Sequence, residues 1–220
     1  LGRSPNCWKP VNIGLLPFSA SMIMNISRQS LRNLVLSVVS FLVVVSVSIL
    51  GQPAQSHPVP TVASSALQAA ESTAIAQGME PSSFTRYVAV LSQNEVFPTT
   101  PSTNAFGAAG AVLVGDRLIV RGDFSNLSSP LRDYTTDPAS PPNPNITSGV
   151  HIHQGEAAKN GPFQYALQVS PAESGLQGRF MGEYTLTSEQ RQALANGNLY
   201  MDIHTRQNRA GELRGILKPY

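Results

Sequence analysis

A single cysteine, Cys7, occurs in the 220 residues, and it stands ahead of the first long apolar run. Beyond that segment the chain has no thiol, which excludes disulfides, cysteine-ligated zinc and a cysteine nucleophile there. Charge is scarce as well: 13% of residues are charged, and eleven basic residues against thirteen acidic ones follow residue 56. No cluster of Lys and Arg occurs in that part, so the electrostatic footprint of a nucleic-acid binder is missing. Nor does the chain contain a Gly-x-Ser-x-Gly elbow, a Gly-rich phosphate loop or a zincin helix motif. Low charge together with 17 Gly and 17 Pro favours a turn-rich β protein over a helical bundle. A hydrophobic share of 41% is ample for a packed core at this length.

The first 56 residues read as a leader. Arg28 and Arg32 precede an uncharged apolar run from Leu34 to Leu50, and Ala54-Gln55-Ser56 is a small-x-small cleavage sequence that would release a chain starting at His57. The expected location is therefore secreted or periplasmic. The alternative is an uncleaved N-terminal anchor, since the run is long for a signal peptide and short for a membrane span. Residues 1–21 precede Met22 and Met24, either a sensible initiator, and read as an over-extended start.

Residues 57–83 are rich in Ala, Ser, Thr and Pro, and the weak stripe Ala66, Leu67, Ala69, Ala70, Ala74 and Ile75 predicts a spacer with at most a short helix. From residue 84 the period becomes two. Tyr87, Ala89 and Leu91 alternate with Val88 and Val90. Leu118, Val120, Gly122 and Phe124 face one side, with Arg117, Arg121 and Asp123 on the other. Further short runs at 149–153, 163–169, 178–184, 199–204 and 212–217 predict an all-β antiparallel sandwich or barrel. One helix is marked: Thr187-Ser188-Glu189-Gln190 fits a capping box, and Asn196-Gly197 supplies the stop. Ser128–Ser148, with five prolines and no periodicity, reads as a long loop. Asn126-Leu127-Ser128 and Asn145-Ile146-Thr147 match glycan acceptor triplets, a pattern common by chance.

The motifs also fall in a recognisable order. Leu91-Ser92-Gln93-Asn94-Glu95-Val96-Phe97-Pro98 is followed by Gly149-Val150-His151-Ile152-His153-Gln154-Gly155. Then come Leu186-Thr187, Leu194, Gly197-Asn198-Leu199-Tyr200-Met201-Asp202-Ile203-His204-Thr205 and Gly211-Glu212-Leu213-Arg214-Gly215. Over residues 84–220 this resembles the chordin-type (CHRD) domain family. Two departures stand out: Gln93, Asn94 and Phe97 replace the small residues usual near the Glu-Val-Pro element, and Asp202 stands where Asn often precedes Ile-His-Thr. The resemblance implies an immunoglobulin-like or superoxide-dismutase-like β-sandwich in extracellular or envelope proteins, and implies no known reaction. Fold alone supplies no function.

The histidines carry the sharpest chemistry. His151 and His153, two apart on a strand, project from one face, their backbones about 6–7 Å apart. His204 ends another strand on the side of Tyr200 and Asp202. Three imidazoles suit copper or zinc, with Asp202 and Glu156 as accessory candidates. The other reading is that they lock strand ends by bonding backbone, Glu212 or Thr205. The His-x-His strand is similar to that of copper-zinc superoxide dismutase, but four histidines, one of them His57, and no cysteine after residue 56 cannot assemble a dinuclear site. Glu212 and Arg214, at two-residue spacing, read as a structural ion pair, because a carboxylate beside a guanidinium is held ionised and poorly poised for proton transfer. The expected function is thus an exported, non-catalytic binding or structural module with an envelope or extracellular protein partner. The alternative is a mononuclear copper or zinc enzyme, redox-active or not.

Overall fold

The computed structural model describes residues 61–220. The leader, its cleavage sequence, the Leu34–Leu50 run and Cys7 lie outside the described residues. Within the compact unit His57–Tyr220, two antiparallel sheets carry ten strands. The larger has the order β10-β1-β2-β3-β7-β6, from β1 (Thr85–Leu91), β2 (Phe106–Val114), β3 (Arg117–Ser125), β6 (Gln168–Pro171), β7 (Gly178–Thr185) and β10 (Lys218–Pro219). The smaller has the order β5-β4-β8-β9, from β4 (Val150–Gln154), β5 (Phe163–Ala166), β8 (Leu199–Ile203) and β9 (Leu213–Ile216).

Alternation builds the core. Tyr87, Ala89 and Leu91 of β1, Leu118, Val120 and Phe124 of β3, Val150 and Ile152 of β4, and Leu199, Met201 and Ile203 of β8 join one buried cluster that draws on both sheets. The run expected at 163–169 is in fact two strands. The chain leaves the smaller sheet after Ala166, buries Leu167 in the core, and continues as β6 at the edge of the larger.

The spacer holds more structure than its weak stripe promises. Thr61–Ala76 is a 16-residue helix, here α1, instead of a short one. Its Ala63, Ala66, Leu67, Ala70 and Ala74 are buried, and Leu67, Ala70 and Ala74 pack with Phe84, Val112 and Ile119 on the outer face of the larger sheet. That cover explains why Val112 and Ile119 are buried although they point away from the core between the sheets. Small residues let α1 lie close: a Cβ on Gly110 would sit 2.0 Å from the Leu67 amide nitrogen. The stripe is weak because alanine scores little on a hydrophobic pattern yet suits close helix–sheet contact.

The second helix, α2 (Ser188–Ala195), starts as expected. Gln190 N–H donates to the Thr187 hydroxyl at 3.2 Å, Thr187 N–H donates to Gln190 Oε1 at 2.9 Å, and Gly197 is left-handed (φ 70°). Among the described residues no helix is long and apolar enough to cross a membrane.

Candidate metal centre

The inner face of the smaller sheet is core; its outer face carries the chemistry. On β4 the side chains of Val150 and Ile152 enter the core, so His151 and His153 point outward. Register sets His151 opposite Asp202 and His153 opposite Tyr200 on β8, and Asp202 opposite Arg214 on β9. Three loops close over this face. The Ser128–Ser148 loop brings Arg132 and Tyr134, residues 155–162 bring Gly161, and the connection after β8 brings His204. His204 is fastened at both ends of its peptide: its N–H donates to Gly149 O at 2.8 Å, and its carbonyl accepts from Arg132 N–H at 2.9 Å.

The three histidines converge. Ring centroids lie 5.7 Å (His151–His153), 4.8 Å (His151–His204) and 6.2 Å (His153–His204) apart. One ring nitrogen from each lies within 4.8 Å of the others. Each imidazole also meets a backbone carbonyl: His151 Nε2 at Ser148 O (2.6 Å), His153 Nδ1 at Gly161 O (3.1 Å) and His204 Nδ1 at Arg209 O (3.0 Å). A carbonyl can only accept, so these contacts assign the N–H of each ring and leave the other nitrogen with a lone pair. The remaining nitrogens of His153 and His204, both Nε2, are buried with no hydrogen-bond partner. Such orphans cost about 1–3 kcal/mol each in a folded protein.

The environment keeps the rings neutral. Burial pushes His151 down to about 2, helped by the neighbouring His204, and burial likewise lowers His153 and His204, outweighing the nearby Asp202 carboxylate. Neutral imidazole is the form that ligates metal.

Supporting contacts fix the rings. Tyr200 stacks on His153 at 5.3 Å with planes 6° apart, and the Arg214 guanidinium lies 4.1 Å over the Tyr200 ring. Gly161 ties both: its N–H donates to Tyr200 Oη at 2.7 Å while its carbonyl takes the His153 Nδ1–H. Only glycine fits there, since a Cβ would stand 1.8 Å from Gln154 O. Phe163 sits edge-on to His151 at 5.3 Å, and Tyr134 lies 5.3 Å from His151 and 6.4 Å from His204. Arg132 stacks 4.5 Å over the Tyr134 ring and pairs with Asp137, which Arg209 also binds.

Several expected partners differ from those found. Arg214 pairs with Asp202, not Glu212: Nε and Nη2 reach the two carboxylate oxygens at 2.7 and 2.8 Å, and Nη2 also donates to Asn160 Oδ1 at 2.9 Å. Glu212 precedes β9 and turns the other way. It accepts from the hydroxyls of Thr103, Ser128 and Thr205 and from Ser128 N–H, each at 2.7 Å, and thereby joins three loops. Burial pushes its pKa up, but those donors win and hold it below the usual range. Asp202, with both oxygens committed to Arg214, is a brace beside the site. Glu156 is exposed and paired with Lys159 at 2.8 Å. Among the described residues the grouped ligand candidates are His151, His153 and His204 alone. The histidines bond to backbone carbonyls, not to Glu212 or Thr205. Tyr134 escaped sequence reasoning because its proline-rich loop has no period to place it.

The family model of the CHRD domain matches residues 87–217, spanning both sheets and all three histidines. No curated protein matches the chain.

Proposed function

Because the chain belongs to the CHRD domain family, we propose that it is an exported, non-catalytic binding module in which His151, His153 and His204 hold one copper or zinc ion. One observation carries this reading: three anchored imidazoles bring one ring nitrogen each within 4.8 Å of the others, and Nε2 of His153 and of His204 are buried and unpartnered. A cation held among these nitrogens would give the unpartnered lone pairs the partner they lack. Three imidazoles without thiolate suit copper or zinc over magnesium or calcium. Nitrogens within 4.8 Å of one another could hold such an ion after a modest closure of the rings. A bound ion would supply a Lewis-acidic or structural centre; the protein's residues orient the imidazoles, exclude water and hold the ring protons on backbone carbonyls.

Export rests on Ala54-Gln55-Ser56 and the apolar run before it. Protein recovered from the envelope or the medium should have an intact mass starting at His57 or within a few residues. A species retaining Leu34–Leu50 shows an anchor instead. Elemental analysis of the same material should find one equivalent of copper or zinc, and metal-free protein after gentle purification without chelators counts against the site.

A further inference from the structure

We propose that the three-histidine centre is built for a monovalent, three-coordinate ion, and that it takes reduced copper, Cu(I), in preference to zinc or oxidised copper. The inference rests on the metal reading above and adds the charge and oxidation state of the ion. Its first ground is charge. All three ligands are uncharged imidazoles, so an ion keeps its whole charge at the site. The cost of burying an ion rises with the square of that charge, making a divalent ion about four times as expensive as a monovalent one of equal size.

No unpaired carboxylate stands beside the site to offset the second charge. Asp202 spends both oxygens on Arg214, and Glu212 spends both on Thr103, Ser128 and Thr205. Glu156 stands exposed with Lys159. Arg132, stacked over Tyr134, is itself paired with Asp137, so the ceiling of the cluster brings no free negative charge either.

The second ground is coordination number. Zinc in a three-histidine site completes its shell with water or hydroxide, which also supplies negative charge. Here Nε2 of His153 and of His204 are sealed from solvent, and the rings of Tyr134, Phe163 and Tyr200 lie against the imidazoles. Cu(I), a closed-shell ion like zinc, needs no fourth ligand and is satisfied by a trigonal set of nitrogens.

The test uses the full metal-free chain, titrated anaerobically with Cu(I) in ascorbate against a bicinchoninate competitor, and in parallel with Zn(II) and Cu(II) against chelators of known affinity. Cu(I) should bind one to one, with Kd below that of Zn(II) and of Cu(II) by roughly a hundredfold or more. The reduction potential of the bound copper should rise by about 59 mV for each tenfold preference for Cu(I) over Cu(II). Zinc or Cu(II) binding as tightly as Cu(I), or more tightly, overturns the inference while leaving the metal site standing. Failure of all three ions to bind removes both.

Discussion

Replacing Arg214 by alanine probes the brace beneath the site. Arg214 is 1% exposed and Asp202 3%, and two hydrogen bonds of 2.7 and 2.8 Å join them. Removing the cation leaves a carboxylate buried without compensation, at a cost of about 3–5 kcal/mol. Loss of the guanidinium from the face of Tyr200 adds about 0.5–2 kcal/mol. A domain of this kind has about 5–15 kcal/mol in total, so the variant loses a large part of its stability. At about 2–4 °C per kcal/mol its Tm falls by roughly 7–28 °C. Urea unfolding followed by circular dichroism measures it, with the midpoint falling at unchanged slope. The companion is Asp202→Ala with Arg214→Ala. Without a stranded charge, the double variant should be more stable than Arg214→Ala alone. A loss below about 1 kcal/mol in the single variant, or strict additivity in the double, refutes the account of the pair.

Acid should weaken the fold early. Unfolded imidazoles take up protons below about pH 6.5, whereas the three buried rings, all lowered by burial, resist them, His151 until about pH 2. Stability present above pH 6.5 is therefore lost as pH falls, by up to about 1.4 kcal/mol per unit for each histidine. Glu212, held below its usual range, adds to the loss at lower pH. Urea midpoints that stay level between pH 7 and 5 contradict this. Gly161→Ala should displace the 155–162 loop, cost roughly 1–3 kcal/mol and free the His153 ring. Nitrogen NMR of His153 checks it, and an unchanged tautomer population with unchanged Tm counts against the anchor. Leu67→Ala should cost about 2–3 kcal/mol, because Leu67 packs α1 against Val112 and Ile119; denaturant unfolding that matches wild type would mean α1 is not part of the folded core.

The sandwich was legible because each strand writes its alternation locally: Tyr87-Val88-Ala89-Val90-Leu91 and Val150-His151-Ile152-His153 show their faces without neighbours. The capping box at Thr187 and Gln190 is equally local. The pairing of His151 and His153 followed from the same period, and their meeting with His204 from family order. What sequence could not show depends on register between distant strands. Arg214 faces Asp202 because β8 and β9 pair at that position, whereas Glu212 lies just before β9 and points into the loops. Two-residue spacing suggested a shared face for Glu212 and Arg214, but the strand begins only at Leu213, so the alternation does not extend back to Glu212. The length of α1 was hidden for a different reason: its buried face is mostly alanine, and it can lie on the sheet only because Gly110 leaves the space.

The central claim is that the three imidazoles act as one metal site. Its most direct test is an equilibrium titration of metal-free protein with copper and with zinc, on wild type and on His153→Ala and His204→Ala, each first shown folded by circular dichroism. Wild type should bind one equivalent. Each variant should lose roughly a hundredfold or more in affinity, as expected for a lost ligand. Binding should persist well below pH 6.5 while the fold survives, since protons compete poorly for rings whose pKa values are depressed. If wild type binds neither ion, or if both folded variants bind as tightly as wild type, the three histidines are not a metal site.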